Sequence, residues 1–356
     1  MKTVPWTSLL ENGPIQASAP CRIDMGGTLD LGTFHYPLRP LAPCTVNIAL
    51  NLKTRVTLVP HTAGRIQIRS IGFEPADVLL DEAPFDHPLG LMFAVASYFG
   101  ASGVGIEIDS ASPPRSALGG SSTAALALVA AFSRGAERSG AAGGATRAQM
   151  VRLAHGIESA VAGVPCGMQD QLAAAYGGVN GWYWQEDPMA GTPWRRQVLW
   201  DPSAHDDLAR CLLVAYCGIP HESRDINGRW VRQFLAGGAR HRWREIVACT
   251  HDFTEALAVK DLERAAAAMN RETAIRREMT PDVLDPTGQL LVADAMAAGC
   301  GARFAGAGGG GCIWALGPAA TIGRLRGTWD HRLNAIPDAR LLDVDIDGSG
   351  VMTNEP

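Results

Sequence analysis

Several features that would place the chain in a familiar class are missing from its sequence. The eight cysteines are scattered without a Cys-x-x-Cys pair, which argues against a zinc site or a disulfide framework and favours reduced thiols. No stretch reaches the roughly eighteen uninterrupted apolar residues of a membrane helix. The N-terminal residues also lack the sustained apolar segment of a signal peptide. We therefore expect a cytoplasmic protein.

The chain also has no excess of positive charge. It contains 31 Lys and Arg residues against 36 Asp and Glu residues, a formal net charge of −5, and its isoelectric point is near 6.0. No overall basic field is then present to hold nucleic acid or an anionic membrane surface. Any bound phosphate must be held by local groups, and we expect neither nucleic acid nor a membrane as a partner. The sequence leaves open whether the chain forms a homodimer.

Glycine, in contrast, is plentiful, at 40 of 356 residues, so several loops need unusual backbone freedom. A chain of this length exceeds the roughly 250–300 residues at which single cores stop growing. Its β-rich ends and helix-rich middle favour an α+β fold. We predict an N-terminal lobe over residues 1–180 and a C-terminal lobe over residues 181–356.

Apolar periodicity predicts the elements of the first lobe. Residues 46–59 and 65–71 alternate on either side of a Pro-His-Thr-Ala-Gly turn and predict a β-hairpin, and residues 104–108 alternate again. The Ala- and Leu-rich run after Ser121 predicts a helix that opens at the preceding glycine-rich loop. Thr146 and Gln149 form a capping-box pair that predicts the start of a second helix.

The segment 113–125, Pro-Pro-Arg-Ser-Ala-Leu-Gly-Gly-Ser-Ser-Thr-Ala-Ala, has the chemistry of a phosphate-binding loop. Free N–H groups and the positive dipole end at a helix start attract a phosphate. Ser121 and Ser122 can add hydroxyls to the phosphate or to its Mg²⁺. A Gly-Lys-Ser/Thr sequence is absent, which excludes a Walker A motif. A plain Gly/Ser linker is the alternative.

This loop resembles the phosphate loop of the GHMP kinases, the family of galactokinase, homoserine kinase, mevalonate kinase and phosphomevalonate kinase. The family pattern is Pro-x-x-x-Gly-Leu-Gly-Ser-Ser, and here Ala117 stands at its first Gly and Gly120 at a Ser. Residues 19–30 look like the family's substrate-binding motif, and residues 302–311 look like its glycine-rich third motif. The motifs occur in the family's order, so the resemblance covers nearly the whole chain.

The resemblance implies a two-lobed α+β GHMP kinase fold, with an N-terminal lobe of ribosomal-protein-S5-like type and a ferredoxin-like α/β C-terminal lobe. It also implies an enzyme that uses ATP and Mg²⁺ on a small-molecule sugar or sugar phosphate. The implied nucleotide-binding residues are Pro114, Leu118, Gly119, Gly120, Ser121, Ser122, Thr123, Gly306, Gly308 and Gly309.

Three charged residues receive roles in phosphoryl transfer from the resemblance. Residues 163–178 are similar to the block that carries the catalytic Asp of sugar-directed members, so Asp170 would orient the acceptor hydroxyl and take its proton. Glu158, with Ser121, takes the place of the Mg²⁺-binding residues, and Arg22 that of a cation near the transferred phosphate. The alternatives are a helix cap for Asp170, a solvated helix face for Glu158 and a surface position for Arg22.

The acceptor is assigned in the same way. Asp30 falls where sugar-specific members place a carboxylate on sugar hydroxyls, with Gly27, Thr28 and Gln169 beside it. The block around Gln169 looks most like that of the bacterial D-glycero-D-manno-heptose 7-phosphate kinases. We therefore expect transfer to the anomeric hydroxyl of that sugar, giving the 1,7-bisphosphate. The candidate cations for the distal phosphate are Arg115, His221 and Arg224.

The first motif departs from that of the heptose kinases, because it reads Gly-Gly-Thr-Leu-Asp instead of three glycines followed by Thr-Asp. It also lacks the Glu-His pair of galactokinases. The departure from the heptose kinase motif keeps fucokinase and galactokinase as alternative sugar 1-kinases, although the missing Glu-His pair argues against galactokinase. An inactive GHMP-fold binding protein is the non-enzyme alternative. A dinucleotide-binding oxidoreductase is less favoured, since residues 306–311 precede a strand instead of following one.

Overall fold

The computed structural model describes residues 4–184, 191–220 and 226–354. The strands are β1 Ile15–Met25, β2 Cys44–Pro60, β3 Arg65–Ser70, β4 Ala76–Leu79, β5 Val104–Ser110, β6 Val179–Trp184, β7 Trp194–Val198, β8 Leu212–Tyr216, β9 Gly301–Phe304, β10 Cys312–Leu316, β11 Arg340–Leu342 and β12 Met352–Asn354. The α-helices are α1 Trp6–Glu11, α2 Gly32–His35, α3 Gly90–Tyr98, α4 Gly120–Arg138, α5 Arg147–Val161, α6 Gln169–Tyr176, α7 His205–Ala209, α8 Ile226–Leu235, α9 Arg240–Ala258, α10 Leu262–Met279, α11 Pro286–Ala297 and α12 Ala319–Leu333. Short 3₁₀ turns cover Arg39–Leu41, Leu80–Glu82, Pro202–Ala204 and Pro281–Val283.

The larger sheet has the order β12-β1-β2-β5-β3-β4, with β6 paired to β2 and β7 to β6. Strand β2 is long enough to pair with β6 along its first part and with β5 along its last part. The predicted hairpin of β2 and β3 is wrong, because β5 lies between them, antiparallel to β2 and parallel to β3. Strand β5, with its alternating apolar residues, pairs with both β2 and β3. These long-range pairings replace the predicted local pairing of β2 with β3.

The smaller sheet is antiparallel, in the order β11-β8-β10-β9. Helices and two sheets in one chain confirm the predicted α+β class. Two strands of the larger sheet, β7 and β12, come from beyond residue 180, so this sheet extends past the predicted first lobe. No helix in the described segments combines the length and the apolar content needed to cross a bilayer.

Two helices begin as the sequence predicts. The N-cap of α4 is Gly119, and the Ala- and Leu-rich middle of this helix is buried under the larger sheet. Helix α5 starts with the predicted capping box, in which the Gln149 N–H donates to Thr146 Oγ1 and Gln149 Oε1 accepts from the Thr146 N–H. These two helices fix the phosphate loop and Glu158 relative to each other.

Strand β1 brings charged residues into the interior. Its burial alternates up to Ser18, and every residue from Ala19 to Met25 is then buried. Both faces are covered there, because α4 and α6 contact β1 and Cys21, Ile23 and Met25 belong to a core cluster shared with the smaller sheet. Arg22 and Asp24 in this segment must therefore find charged or hydrogen-bonding partners inside the protein.

Candidate active site

A cavity of about 430 Å³ is lined by residues from all four segments that the sequence singled out. The lining includes Arg22, Thr28, Asp30, Pro114, Arg115, Gly119, Gly120, Ser121, Ser122, Glu158, Gln169, Asp170 and Gly306. Carboxylates, a guanidinium, hydroxyls and a glycine-rich helix start thus converge in one concave space. Such convergence is typical of an active site.

Arg22 and Asp170 form an ion pair in the wall of this cavity. Arg22 Nε and Nη2 both bond Asp170 Oδ1, at 2.8 and 2.7 Å, and Arg22 Nη1 donates to the Ala117 carbonyl at 2.8 Å. Arg22 is 3% exposed, whereas the Asp170 side chain keeps 20% exposure. Both bonds go to Oδ1, so they leave Asp170 Oδ2 to a ligand. The helix-cap alternative fails, because the N-cap of α6 is Met168.

Gly119 lies directly against Asp170. A Cβ atom at Gly119 would lie 3.0 Å from both Asp170 Cγ and Oδ2, and the φ of Gly119 is +79°, so a side chain there would be strained. The start of α4 and the Asp170 carboxylate therefore share one small space. A phosphate bound at the free N–H groups of this helix would lie beside Asp170.

Ser122 and Glu158 form the second pair in the cavity. Ser122 Oγ donates to Glu158 Oε1 at 2.9 Å, and Gln171 Nε2 donates to Oε2. Ser122 is therefore the serine that contacts Glu158, whereas Ser121, which the resemblance placed with Glu158 at the Mg²⁺, is exposed. Successive helix residues are rotated by about 100°, so only one of the two serines faces α5. Burial raises the pKa of Glu158 to about 7, although the Ser122 hydrogen bond lowers it.

The third glycine-rich segment packs on the phosphate loop. The φ of Gly306 is +59°, and a Cβ atom there would lie 2.9 Å from the Ala117 carbonyl oxygen. The N–H of Cys312 donates to the Ser116 carbonyl at 2.9 Å. Ala117 has a φ of +62°, a conformation that glycine adopts without strain. The family pattern has a glycine at this position.

Asp30 is held at the cavity by the block around Gln169. The Gln169 N–H donates to Asp30 Oδ2 at 3.1 Å, and Asn47 Nδ2 donates to Gln169 Oε1 at 3.1 Å. A Cβ atom at Gly167 would overlap the Asp30 carboxylate. Burial raises the pKa of Asp30 to about 7; the Gln169 hydrogen bond opposes this shift and the charge of Asp170 adds to it.

Several residues assigned to the site lie elsewhere. In the described part of the chain, the cavity lining does not include Gly27, Leu118, Thr123, Gly308 and Gly309. Leu118 and Thr123 are buried, and a Cβ atom at Gly308 would lie 2.4 Å from the Val283 carbonyl oxygen. These residues shape the loops from behind. His221 and Arg224 lie outside the described residues.

A network of buried charges lies behind the cavity, and the sequence motifs did not predict it. Arg303 Nη1 bonds Asp24 Oδ2 at 3.0 Å, and Arg303 Nε bonds Glu272 Oε2 at 2.9 Å. Arg276 Nε bonds the other oxygen of Glu272 at 2.8 Å. Burial alone would raise the pKa of Glu272, but Arg303 and Arg276 outweigh it and hold this pKa below its usual value.

The same network holds the first motif. Arg276 Nη2 donates to the Gly27 carbonyl at 2.7 Å, and Arg276 Nη1 donates to Thr28 Oγ1 at 3.3 Å. One signal was available in the sequence: Glu272 and Arg276 are spaced i,i+4, and opposite charges at that spacing pair on a helix. Their burial was not visible in that pattern.

One segment of the chain matches a known family model. Residues 88–178, which include the phosphate loop, Glu158 and Asp170, match the family described as GHMP kinases N terminal domain. Mevalonate kinase of Pyrococcus horikoshii is 23% identical over 303 residues, which cover 76% of this chain and 81% of the relative.

The fold is similar to that of solved structures along almost the whole chain. A D-glycero-D-manno-heptose 1-phosphate kinase from Bacteroides thetaiotaomicron has a TM-score of 0.70 at 18% identity, covering 96% of this chain and 99% of the other. Lactococcus lactis galactokinase complexed with galactose has a TM-score of 0.72 at 15% identity, with coverages of 97% and 98%.

Residues 88–178 thus match a GHMP kinase N-terminal domain, and the chain has the GHMP kinase fold. The resemblance predicted from the motifs is thereby confirmed, as is the two-lobed fold. Members of this family are kinases that use ATP, which confirms the prediction of an enzyme of the kinase class.

Proposed function

We propose that the protein is an ATP-dependent sugar kinase that transfers the γ-phosphoryl group to an anomeric hydroxyl. One observation carries the proposal: Asp170 Oδ2 lies against Gly119, the N-cap of α4. A carboxylate beside a phosphate-binding helix start is the arrangement that phosphoryl transfer to a hydroxyl needs, because catalysis there depends on positioning and charge.

ATP would bind with its phosphates at the start of α4. Ile71 and Phe73 are exposed apolar residues that line the same cavity, and a Cβ atom at the intervening Gly72 would lie 3.1 Å from Pro114 Cγ of the phosphate loop. These side chains offer an apolar surface to the adenine base.

Mg²⁺ fits the pair of Ser122 and Glu158, since a hydroxyl and a carboxylate side by side are hard oxygen donors. Among the described residues, no group of three or more His, Cys, Asp or Glu side chains could hold a metal ion. Phosphate and water oxygens would therefore complete the shell. The bound ion would supply neutralisation of the phosphate charge.

Asp170 would act on the acceptor. Its Oδ2 accepts a hydrogen bond from the sugar hydroxyl and takes the hydroxyl proton as the new bond from the sugar oxygen to the γ-phosphorus forms. The bond from the γ-phosphorus to the bridging oxygen breaks, and ADP leaves with that oxygen. Arg22, bonded to Asp170, offers positive charge beside the transferred group.

The preferred acceptor in this proposal is D-glycero-D-manno-heptose 7-phosphate. The resemblance of the block around Gln169 to heptose kinases supports this choice, and the fold is shared with a heptose 1-phosphate kinase. Thr28 and Asp30 line the cavity as hydrogen-bonding groups for sugar hydroxyls. Arg115 also lines it and offers a guanidinium to the distal phosphate.

A free sugar is the second candidate, and the charges of the cavity favour it. Among the described lining residues, the Arg and Lys side chains are Arg22 and Arg115, and Arg22 is already bound to Asp170. Three carboxylates, those of Asp30, Glu158 and Asp170, line the same space.

A panel of free sugars and sugar phosphates, assayed with Mg²⁺-ATP for ADP release and for the phosphorylated product, tests the proposal. We expect the heptose 7-phosphate to give the highest kcat/KM and the anomeric phosphate as product. A higher kcat/KM for fucose, galactose or another free sugar would overturn the choice of acceptor alone. Absence of turnover with every sugar and sugar phosphate would overturn the proposal of a sugar kinase and favour an inactive binding protein.

A further inference from the structure

We propose that Arg303 is a positioning residue for phosphoryl transfer: by occupying Asp24, it keeps Arg22 bound to Asp170. The inference rests on the proposed function, because it takes Asp170 as the group that handles the acceptor hydroxyl. Arg303 is fully buried and lies outside the cavity lining, so it would act through other residues.

Arg22 lies between two carboxylates. Its Nε and Nη2 atoms bond Asp170 Oδ1 at 2.8 and 2.7 Å, while its Nη1 atom lies 3.4 Å from Asp24 Oδ1. Asp24 is 1% exposed. Charges interact strongly in such a dry environment, so an unbalanced Asp24 would draw the Arg22 guanidinium away from Asp170.

Arg303 prevents this competition by supplying Asp24 with its own partner. Arg303 Nη1 donates to Asp24 Oδ2 and to the Asp24 carbonyl, both at 3.0 Å, and the Gly306 N–H donates to Asp24 Oδ1 at 2.7 Å. Both carboxylate oxygens thus have partners besides Arg22. Glu272 Oε2 in turn fixes Arg303 Nε at 2.9 Å.

The charges balance only when all members are present. Arg303 and Arg276 offset Asp24 and Glu272, and Arg22 offsets Asp170, within a region where each Arg, Glu272 and Asp24 is at most 3% exposed. Loss of Arg303 leaves one uncompensated negative charge near Arg22. A buried carboxylate without a cation partner is destabilising. Arg22, 3.4 Å from Asp24, would then pair with Asp24.

A double-mutant cycle tests the inference, using Arg303→Met, Asp24→Asn and the double variant with the best sugar of the panel. We expect Arg303→Met to lower kcat by about tenfold or more. Adding Asp24→Asn removes the competing carboxylate and should raise kcat at least about fivefold above that of Arg303→Met. A double variant that is folded but no faster than Arg303→Met overturns the inference, because purely structural losses would add.

Where Arg303→Met yields too little folded protein for an assay, the double variant is compared with the parent instead. A kcat within about tenfold of the parent supports the inference, and a larger loss in the folded double variant overturns it.

Crystal structures give a readout that does not depend on activity. In Arg303→Met, Arg22 should bond Asp24 and leave Asp170, whereas in the double variant it should stay on Asp170. Arg22 unmoved in Arg303→Met overturns the inference even if the protein is an active kinase. If Arg22 moves in Arg303→Met but the parent phosphorylates no sugar, the link from Arg303 through Asp24 to Arg22 is supported, and the missing turnover overturns the proposed function instead.

Discussion

Ser122 Oγ donates a hydrogen bond to Glu158 Oε1 at 2.9 Å in the cavity, and this contact distinguishes Ser122 from the adjacent Ser121. If the pair holds Mg²⁺, Ser122→Ala and Glu158→Gln should each raise the Mg²⁺ concentration needed for half-maximal activity, because a hard oxygen ligand is lost or made neutral. We expect a shift of about tenfold for Glu158→Gln. A Mg²⁺ titration at saturating ATP and sugar measures it.

Ser121→Ala is the matched control for that experiment. Ser121 precedes Ser122 in α4 but is exposed, so its loss should move the Mg²⁺ titration less than the loss of Ser122. Equal shifts for both serines, or an unchanged titration in Glu158→Gln, would contradict the assignment of the metal site.

Asp170→Asn should keep ATP binding while lowering kcat by roughly 100-fold or more, because an amide cannot take the acceptor proton. ATP affinity is measured by calorimetry and kcat by ADP release. Asp206→Asn, a change at an exposed position in α7, is the control and should leave both values near those of the parent. A kcat near the parent's in Asp170→Asn would remove this residue from the mechanism.

The sequence motifs predicted which residues line one cavity better than the apolar periodicity predicted the strand order. The phosphate loop, Asp170 and Asp30 lie in local motifs, and these motifs need only their own residues to be recognised. The pairing of β2 with β5 could not be read in this way, since β3 and β4 intervene in the chain.

The charge network was beyond local patterns for the same physical reason. Asp24 and Arg303 are 279 residues apart in the chain, and a single Arg in a short strand gives no sign of which carboxylate it meets. The choice between Ser121 and Ser122 likewise depends on how α4 is rotated toward α5, which is fixed by packing.

Arg276→Lys should raise the KM for the sugar by about tenfold, equivalent to roughly 1.4 kcal/mol, with a smaller change in the KM for ATP. Arg276 holds the Gly27 carbonyl and Thr28 Oγ1 with its fork of donors, and a lysine cannot reproduce that geometry. The loop that carries Asp30 would then be less well fixed. Steady-state kinetics with each substrate varied in turn measures both constants.

Arg271→Lys is the control for this change. Arg271 lies in the same helix but is exposed and pairs with Asp252 at 2.7 Å, so both KM values should stay near those of the parent. Equal increases in the two KM values of Arg276→Lys would indicate a general loss of structure and contradict a role at the sugar loop.

Asp30→Asn should gain stability relative to the parent as the pH rises. Burial raises the pKa of Asp30 to about 7 in the folded protein, so between about pH 4 and 7 the folded state keeps a proton that the unfolded chain has lost. The parent therefore loses stability over this range, whereas a neutral asparagine does not. The difference in free energy of unfolding between Asp30→Asn and the parent should change by on the order of 3–4 kcal/mol, the equivalent of about three pKa units.

Urea denaturation of the ligand-free proteins at about pH 5 and pH 8 should show most of this change, with Asp206→Asn as the surface control. A difference between Asp30→Asn and the parent that is the same at both pH values would show that Asp30 is already charged in the folded protein at the lower pH.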